Sequence, residues 1–143
     1  MTLKTNKIEP RNGLVSGASG GIIQVVQTVR TSTFAEDLAT QTDTGEVIQA
    51  TITPTSASNK VMLWAHCCMG LANDGNCSIT FVRGGSNIAA ATGDASGSKT
   101  RVSATGHTDA TARDFHISSM FLDSPATTSS TTYGIKLRHG ENG

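Results

Sequence analysis

Three groups of residues have the types and spacing that could do chemistry. His66-Cys67-Cys68 places an imidazole and two thiols in consecutive positions, the raw material of a metal site or an activated nucleophile. Asp74 and Asn76 offer side-chain oxygens on either side of Gly75, as a calcium loop would. His107, Asp109, Asp114 and His116 supply acids and bases, with Ser103 or Ser118 as a hydroxyl nucleophile. Each group falls short of a working site. Successive strand residues point to opposite faces, so His66 and Cys68 share one face while Cys67 takes the other, and the three cannot converge on one ion. No second CxxC and no Cys-His pair at ligand spacing supports zinc. A calcium ion takes about 6 to 8 oxygens, more than one turn supplies. The His/Asp/Ser set comes with no GxSxG elbow or oxyanion motif, and no pair of carboxylates at glycosidase spacing can be assigned. The sequence is read as that of a non-enzyme that holds no metal and no cofactor.

The elements that would position these residues are strands. Ile22 to Val29 (IIQVVQTV) is dominated by β-branched residues, and Glu46 to Thr53 puts Ile48, Ala50 and Ile52 on one face before Pro54. Residues 32–41 read as a loop. Lys60 to Leu71 is the strongest element, with Val61, Leu63, Ala65, Cys67, Met69 and Leu71 on one face and Met62, Trp64, His66, Cys68 and Gly70 on the other. Both faces are largely apolar, which predicts a strand covered on both sides. Asp74-Gly75 suits a type I′ hairpin turn, so Cys77 to Arg83 is expected to return alongside, with Cys68 beside Phe81, Cys67 beside Val82 and His66 beside Arg83. That register separates Cys67 from Cys77 by about 17 Å, too far for a disulfide, whose Cα atoms lie within about 7 Å. Gly84-Gly85 is a further turn, and Thr92 to Asp114 is a long loop or weak edge ribbon. Phe115 to Leu122 and Thr131 to Arg138 are the last strands, the latter with Tyr133, Ile135 and Leu137 toward the core. The closing His139 to Gly143 reads as a turn with no returning strand, as though the chain stopped one strand short.

About seven short strands with Gly, Pro and Asn punctuation and no convincing helix predict an all-β fold, an antiparallel jelly-roll-like β-sandwich at residues 22–143. Residues 1–21 lack periodicity and carry Pro10, Asn12, Gly13, Gly17, Gly20 and Gly21, so they read as an extended N-terminal arm. Ile8, Leu14 and Val15 are its candidate docking residues, and Lys4, Lys7 and Arg11 outnumber Glu9. Such a segment gains order only by binding, which suits an attachment device.

Composition narrows the classes of function. The 143 residues carry 11 basic and 11 acidic side chains, so the chain is no polybasic nucleic-acid binder. Only 15% of residues are charged, while Ser and Thr fill about a quarter of the chain. The apolar inventory is thin, and a thin core with a weakly charged surface predicts burial between subunits. We expect a homotrimer in which Met62, Trp64 and Cys68, with Ile79 and Phe81 beside them, form the interface or core. The start of the chain shows no signal-peptide pattern and no run reaches the roughly 18 apolar residues of a membrane span, so no membrane insertion and a cytoplasmic origin are expected. Cys67, Cys68 and Cys77 are then expected to be unbridged.

The runs GGIIQVVQTVRTSTFA (Gly20 to Ala35), ITPTSASNKVMLWAH (Ile52 to His66) and FLDSPATTSSTTYGIKLR (Phe121 to Arg138), with the opening NKIEPRNGLVSGASGG, resemble a family of phage tail fibre and virion appendage domains of marine and cyanobacterial phages. The resemblance implies a trimeric head of the C1q and tumour-necrosis-factor jelly-roll kind. It implies a virion protein assembled in the host cytoplasm, its arm joined to other tail or capsid proteins and its head exposed for host attachment, with a host cell-surface glycan as a candidate partner. A free carbohydrate-binding, lectin-like sandwich is the other class. It would normally present several exposed aromatics, and only Trp64, Tyr133 and four Phe are available.

Overall fold

The computed structural model describes residues 21–35, 43–71, 75–108 and 113–140. The strands are β1 (Asp43–Ile52), β2 (Val61–Leu71), β3 (Gly75–Arg83), β4 (Ser86–Asn87), β5 (Ala104–Thr108), β6 (Arg113–Asp123) and β7 (Thr131–Gly140), with one 3-10 turn at Ala89–Ala91. All pairings are antiparallel, and they build an all-β sandwich: a five-stranded sheet in the order β1-β7-β3-β4, with β5 also on β3, faces a two-stranded sheet of β2 and β6. Among the described residues no helix is long and apolar enough to cross a membrane.

The sheets are glued by the alternating inward residues of their strands. Val61 and Leu63 of β2 meet Phe81, Ile88, Tyr133 and Ile135, and Met69 and Ile117 meet Cys77 and Ile79. Ile79 and Val82 are completely excluded from solvent. Leu137 packs against the second cluster, so Tyr133, Ile135 and Leu137 all face the core. β7 lies between β1 and β3 rather than at an edge, and its pairing runs through His139 and Gly140 instead of turning there. At Gly84-Gly85 both residues have positive φ, 55° and 82°, the geometry of a two-residue turn that closes β3 onto β4. The stretch from Thr92 yields one weak ribbon, β5, paired with β3.

Two expectations are corrected. β2 and β3 do not pair: β2 lies beside β6, with Cys68 opposite His116 rather than Phe81, and the chain changes sheets between Leu71 and Gly75. The reason lies in burial. β3 is buried almost throughout and takes β7 and β5 as neighbours on its two edges, whereas β2 strictly alternates covered and open positions and needs only one covered face. In the single chain β2 is therefore covered on one face only, and the strand that the chain itself encloses on both faces is β3. The other correction is that residues 22–29 join no strand, although their composition is that of one.

A polar clasp joins the sheets at one end. Asp123, at the end of β6, is 5% exposed and its Oδ2 accepts from Arg83 Nη1 on β3 and from the Tyr133 hydroxyl on β7, each at 2.6 Å. Burial, and next the hydrogen bond to Asp123, push the Tyr133 phenol well above its ordinary value of 10.0. The raised folded-state pKa means that the phenol's contribution is complete below about pH 10 and is lost as pH rises through the folded value. Tyr133→Phe should lower stability at neutral pH by about 1 to 3 kcal/mol and flatten the alkaline loss, read as urea midpoints from pH 7 to 11. An alkaline limb equally steep in both proteins would refute the clasp. On the neighbouring strand position, a Cβ at Gly134 would lie 2.9 Å from the Ile48 carbonyl oxygen, a backbone atom with little freedom to move. Gly134→Ala should cost about 1 to 3 kcal/mol in thermal or urea melts. Gly45→Ala, where nothing lies within 4 Å, is the matched control.

Candidate interaction surface

Because β2 and β6 form a sheet of two, one of their faces packs inward and the other has nothing on it among the described residues. The register sets Met62 opposite Leu122, Trp64 opposite Met120, His66 opposite Ser118 and Cys68 opposite His116 on the outward face. Trp64 is 76% exposed, Met120 67%, Met62 60% and Leu122 52%. These four side chains are cross-strand or diagonal neighbours, so they form one contiguous apolar patch. Scattered single apolar residues are normal on a surface, but a patch with a tryptophan at its centre marks a contact site.

The patch grades into a polar end. His66 Nδ1 and Ser118 Oγ are hydrogen-bonded at 2.7 Å, and the His66 and His116 rings stack with centroids 5.2 Å apart and 14° between planes. Cys68 stands exposed beside them, and Asp114 follows on the same face of β6. Sequence reasoning missed this grouping, because His66 and Ser118 meet only through the β2–β6 pairing, 52 residues apart in the chain. A serine next to a histidine invites comparison with a nucleophile and its base. Here Ser118 bonds Nδ1, the histidine has the second imidazole stacked on it rather than an orienting carboxylate, and strand backbone N–H groups lie in the plane of the sheet instead of rising toward the hydroxyl. Among the described residues no group of three His, Cys, Asp or Glu is placed to hold a metal ion.

The other sequence candidates are dispersed. Ile79 and Phe81, expected beside Met62, Trp64 and Cys68, lie in the core of the opposite sheet at 0% and 4% exposure, because β3 is not the neighbour of β2. His107 sits on β5 with its Nδ1 3.1 Å from Asn76 Oδ1, remote from the outward face of β6. Ser103 receives the Phe81 amide on its hydroxyl and tucks β5 against β3. Asp74, Asp109 and the arm residues Ile8, Leu14 and Val15 lie outside the described residues. Beside Leu122, an open depression of about 600 Å³ is lined by Arg83, Asn87, Ile88, Phe121 and Asp123, and its charged groups are already committed to the clasp.

A second exposed apolar element is the stretch 21–35. Ile22 is 88% exposed, Val25 78%, Ile23 69% and Val29 68%, and no backbone–backbone hydrogen bond reaches residues 21–35 from any described residue. Its downstream end is tied to the sandwich by Arg30, which donates to the Val47 carbonyl at 3.0 Å and lies over the Phe34 ring.

Comparison with known proteins finds no matching family model, curated protein or solved structure.

The three thiols differ in access. Cys67 and Cys77 are turned toward the core, burial raises the pKa of both, and Cys77 Sγ lies 3.5 Å from Met69 Sδ, while Cys68 faces outward. Reaction needs an accessible thiolate. In the single subunit a thiol reagent should therefore modify Cys68 first and Cys67 and Cys77 only on unfolding, as peptide mass spectrometry would show. Labelling of Cys67 as fast as Cys68 would mean that the two faces of β2 are assigned the wrong way round.

Proposed function

We propose that the chain is a structural subunit of a bacteriophage virion, a homotrimeric tail fibre or a tail or capsid appendage whose β-sandwich head associates through the outward face of β2 and β6. The observation that carries the association is the patch of Met62, Trp64, Met120 and Leu122, each more than half exposed in the single chain. At roughly 25 cal/mol per Å² of apolar area removed from water, leaving it wet forfeits several kcal/mol per subunit. A closed assembly in which copies share it removes that loss. The resemblance of the sequence to phage tail domains supports the virion setting and the jelly-roll form of the head. The near absence of charge on this face, with His66 and His116 the only titratable side chains between Asp114 and the apolar end besides the Cys68 thiol, agrees with burial against a like surface. In this reading residues 1–21 join the head to other virion proteins, and the head performs no catalysis.

A carbohydrate-binding module is the second reading, favoured by one observation: Trp64 presents its indole to solvent. Sugar sites pair such a ring with convergent polar groups, whereas Trp64 has Met62, Met120 and Leu122 on one side and, on the other, His66 and Ser118, which are bonded to each other.

Light scattering at micromolar concentration should give three times the 14.8 kDa subunit mass. Trp64→Asp and Met120→Asp should each return the mass of one subunit with the β-type circular dichroism kept. Because Trp64 is the single tryptophan, its emission should shift to the red when the protein is diluted, and Cys68 labelling should slow as concentration rises. A monomer at all concentrations would overturn the association, and a monomer whose Trp64 emission responds to glycans would establish the second reading. Immunogold labelling of virions encoding the chain tests the setting, and unlabelled particles would refute it.

A further inference from the structure

We propose that residues 22–29 of one copy add as a third strand to the free edge of β2 in a second copy. The proposal rests on the homo-oligomeric reading above and adds to it the element that is exchanged. Two features of the single chain are each incomplete and each fit the other.

The first is the β2 edge. β2 is hydrogen-bonded to β6 alone, and no backbone–backbone bond from any described residue reaches its other side. Its sequence, VMLWAHCCMGL, contains no Lys, Arg, Asp, Glu or Pro and forms eleven pairs with β6 without a register shift. Exposed edges are normally guarded by charge, proline or bulges, and an edge this long and flat without a guard is built to be paired. β1, the edge strand of the other sheet, shows the contrast: it carries Asp43 and Glu46 and two register shifts.

The second is the segment. It joins no strand of its own subunit, and IIQVVQTV has the β-branched composition of a strand without a charged residue. At about 3.3 Å per residue it spans roughly 26 Å, within the length of β2. Both its faces carry apolar residues, Ile22 and Val26 beside Gln24 and Thr28 on one and Ile23, Val25 and Val29 beside Gln27 on the other. An edge strand with one wet face would not need that, but a strand next to β2 would. β6 lies over β5 and β2 over β3, so the free edge of β2 opens above β7 and β1. There Ile48 and Ile52 are only partly buried, although Ile48 is paired with the buried Ile135. A third strand would cover them with one face and extend the Met62 and Trp64 patch with the other.

A second copy, rather than the same one, is the donor. Within its own subunit the segment is tied at Arg30 to the β1 carbonyl of Val47, and Ile22 and Val25 upstream of that tie are unseated at 88% and 78% exposure.

Cysteine placed singly at positions 22 to 29 of the full chain tests this, because Cys68 already supplies an exposed thiol on β2. After mild oxidation, the cysteine that lies opposite Cys68 in the strand register should bond to it while its immediate neighbours in sequence, which point to the other face, do not, giving products of two and three chains on a non-reducing gel, with the bond identified by peptide mass spectrometry. The parent chain controls for Cys68 bonding to itself. Gln24→Pro, which removes a strand N–H from a solvent-exposed position, should reduce the yield of the bond at least tenfold, whereas Gln24→Ala should keep it. Bonds that close within one chain, or no bond to Cys68 at any position, would overturn the exchange. Light scattering on the same samples separates the two readings: a trimer without such bonds refutes strand addition alone, and a single-subunit mass refutes both.

Discussion

Five strands face two, and that imbalance governs the molecule. A sheet whose central strand is buried on both faces needs cover along its whole width, yet β2 and β6 lie over only the β3 and β5 side. The consequence is a core that is tight where the sheets overlap, with Ile79 and Val82 fully enclosed, and looser toward β1, where Val47, Ile48 and Ile52 are partly covered. The two-stranded sheet contributes one row of inward residues and is left with a full outward row that no other described element covers.

Holding so small a sheet in place takes more than apolar contact, since two strands alone are marginal in water. Asp123 fixes one end by accepting from Arg83 and Tyr133 of the opposite sheet. A buried carboxylate is costly unless its hydrogen bonds are made, so the clasp acts chiefly on registry: sliding β6 along the sandwich would leave the charge unpaired. Near the other end, Gly106 allows the Phe115 ring to lie directly against β5, where a Cβ would stand 2.7 Å from the ring's Cδ2. A charge at one end and a missing side chain at the other together fix how β6 sits.

Much of this was legible in the sequence, and the failures have a common cause. The alternation of Val61, Leu63, Cys67 and Met69 marks the inward row of β2, and Tyr133, Ile135 and Leu137 mark that of β7. Two glycines at 84 and 85 announce the β3–β4 turn. Alternation is a local property, so it survives without knowledge of the fold. Pairing is not local: Asp74-Gly75 suggests a hairpin, but whether β2 returns on itself or crosses to the other sheet depends on what β3 finds elsewhere in the chain. The same limit hid the His66, Ser118 and His116 grouping and misplaced Ile79 and Phe81. The apolar character of the second face of β2 was legible too, and the single chain leaves that face open.

Where the apolar side chains stand argues for that cover coming from outside. Among the described residues eleven hydrophobic side chains are buried, while nine large ones are exposed, five of them in the stretch 22–29 and four on the outward face of β2 and β6. With the partly covered ones counted, about a third of the larger apolar side chains among the described residues stand in water when the chain is alone, and the area that stabilises a fold of this size is correspondingly short. Both exposed groups flank the same deficit, the uncovered width of the five-stranded sheet and the outer side of its partner. Anything that binds the native state and not the unfolded one stabilises it by mass action, so a partner that covered these rows would add to the stability of the fold. The exposed rows of β2, β6 and residues 22–29 are where such cover would act.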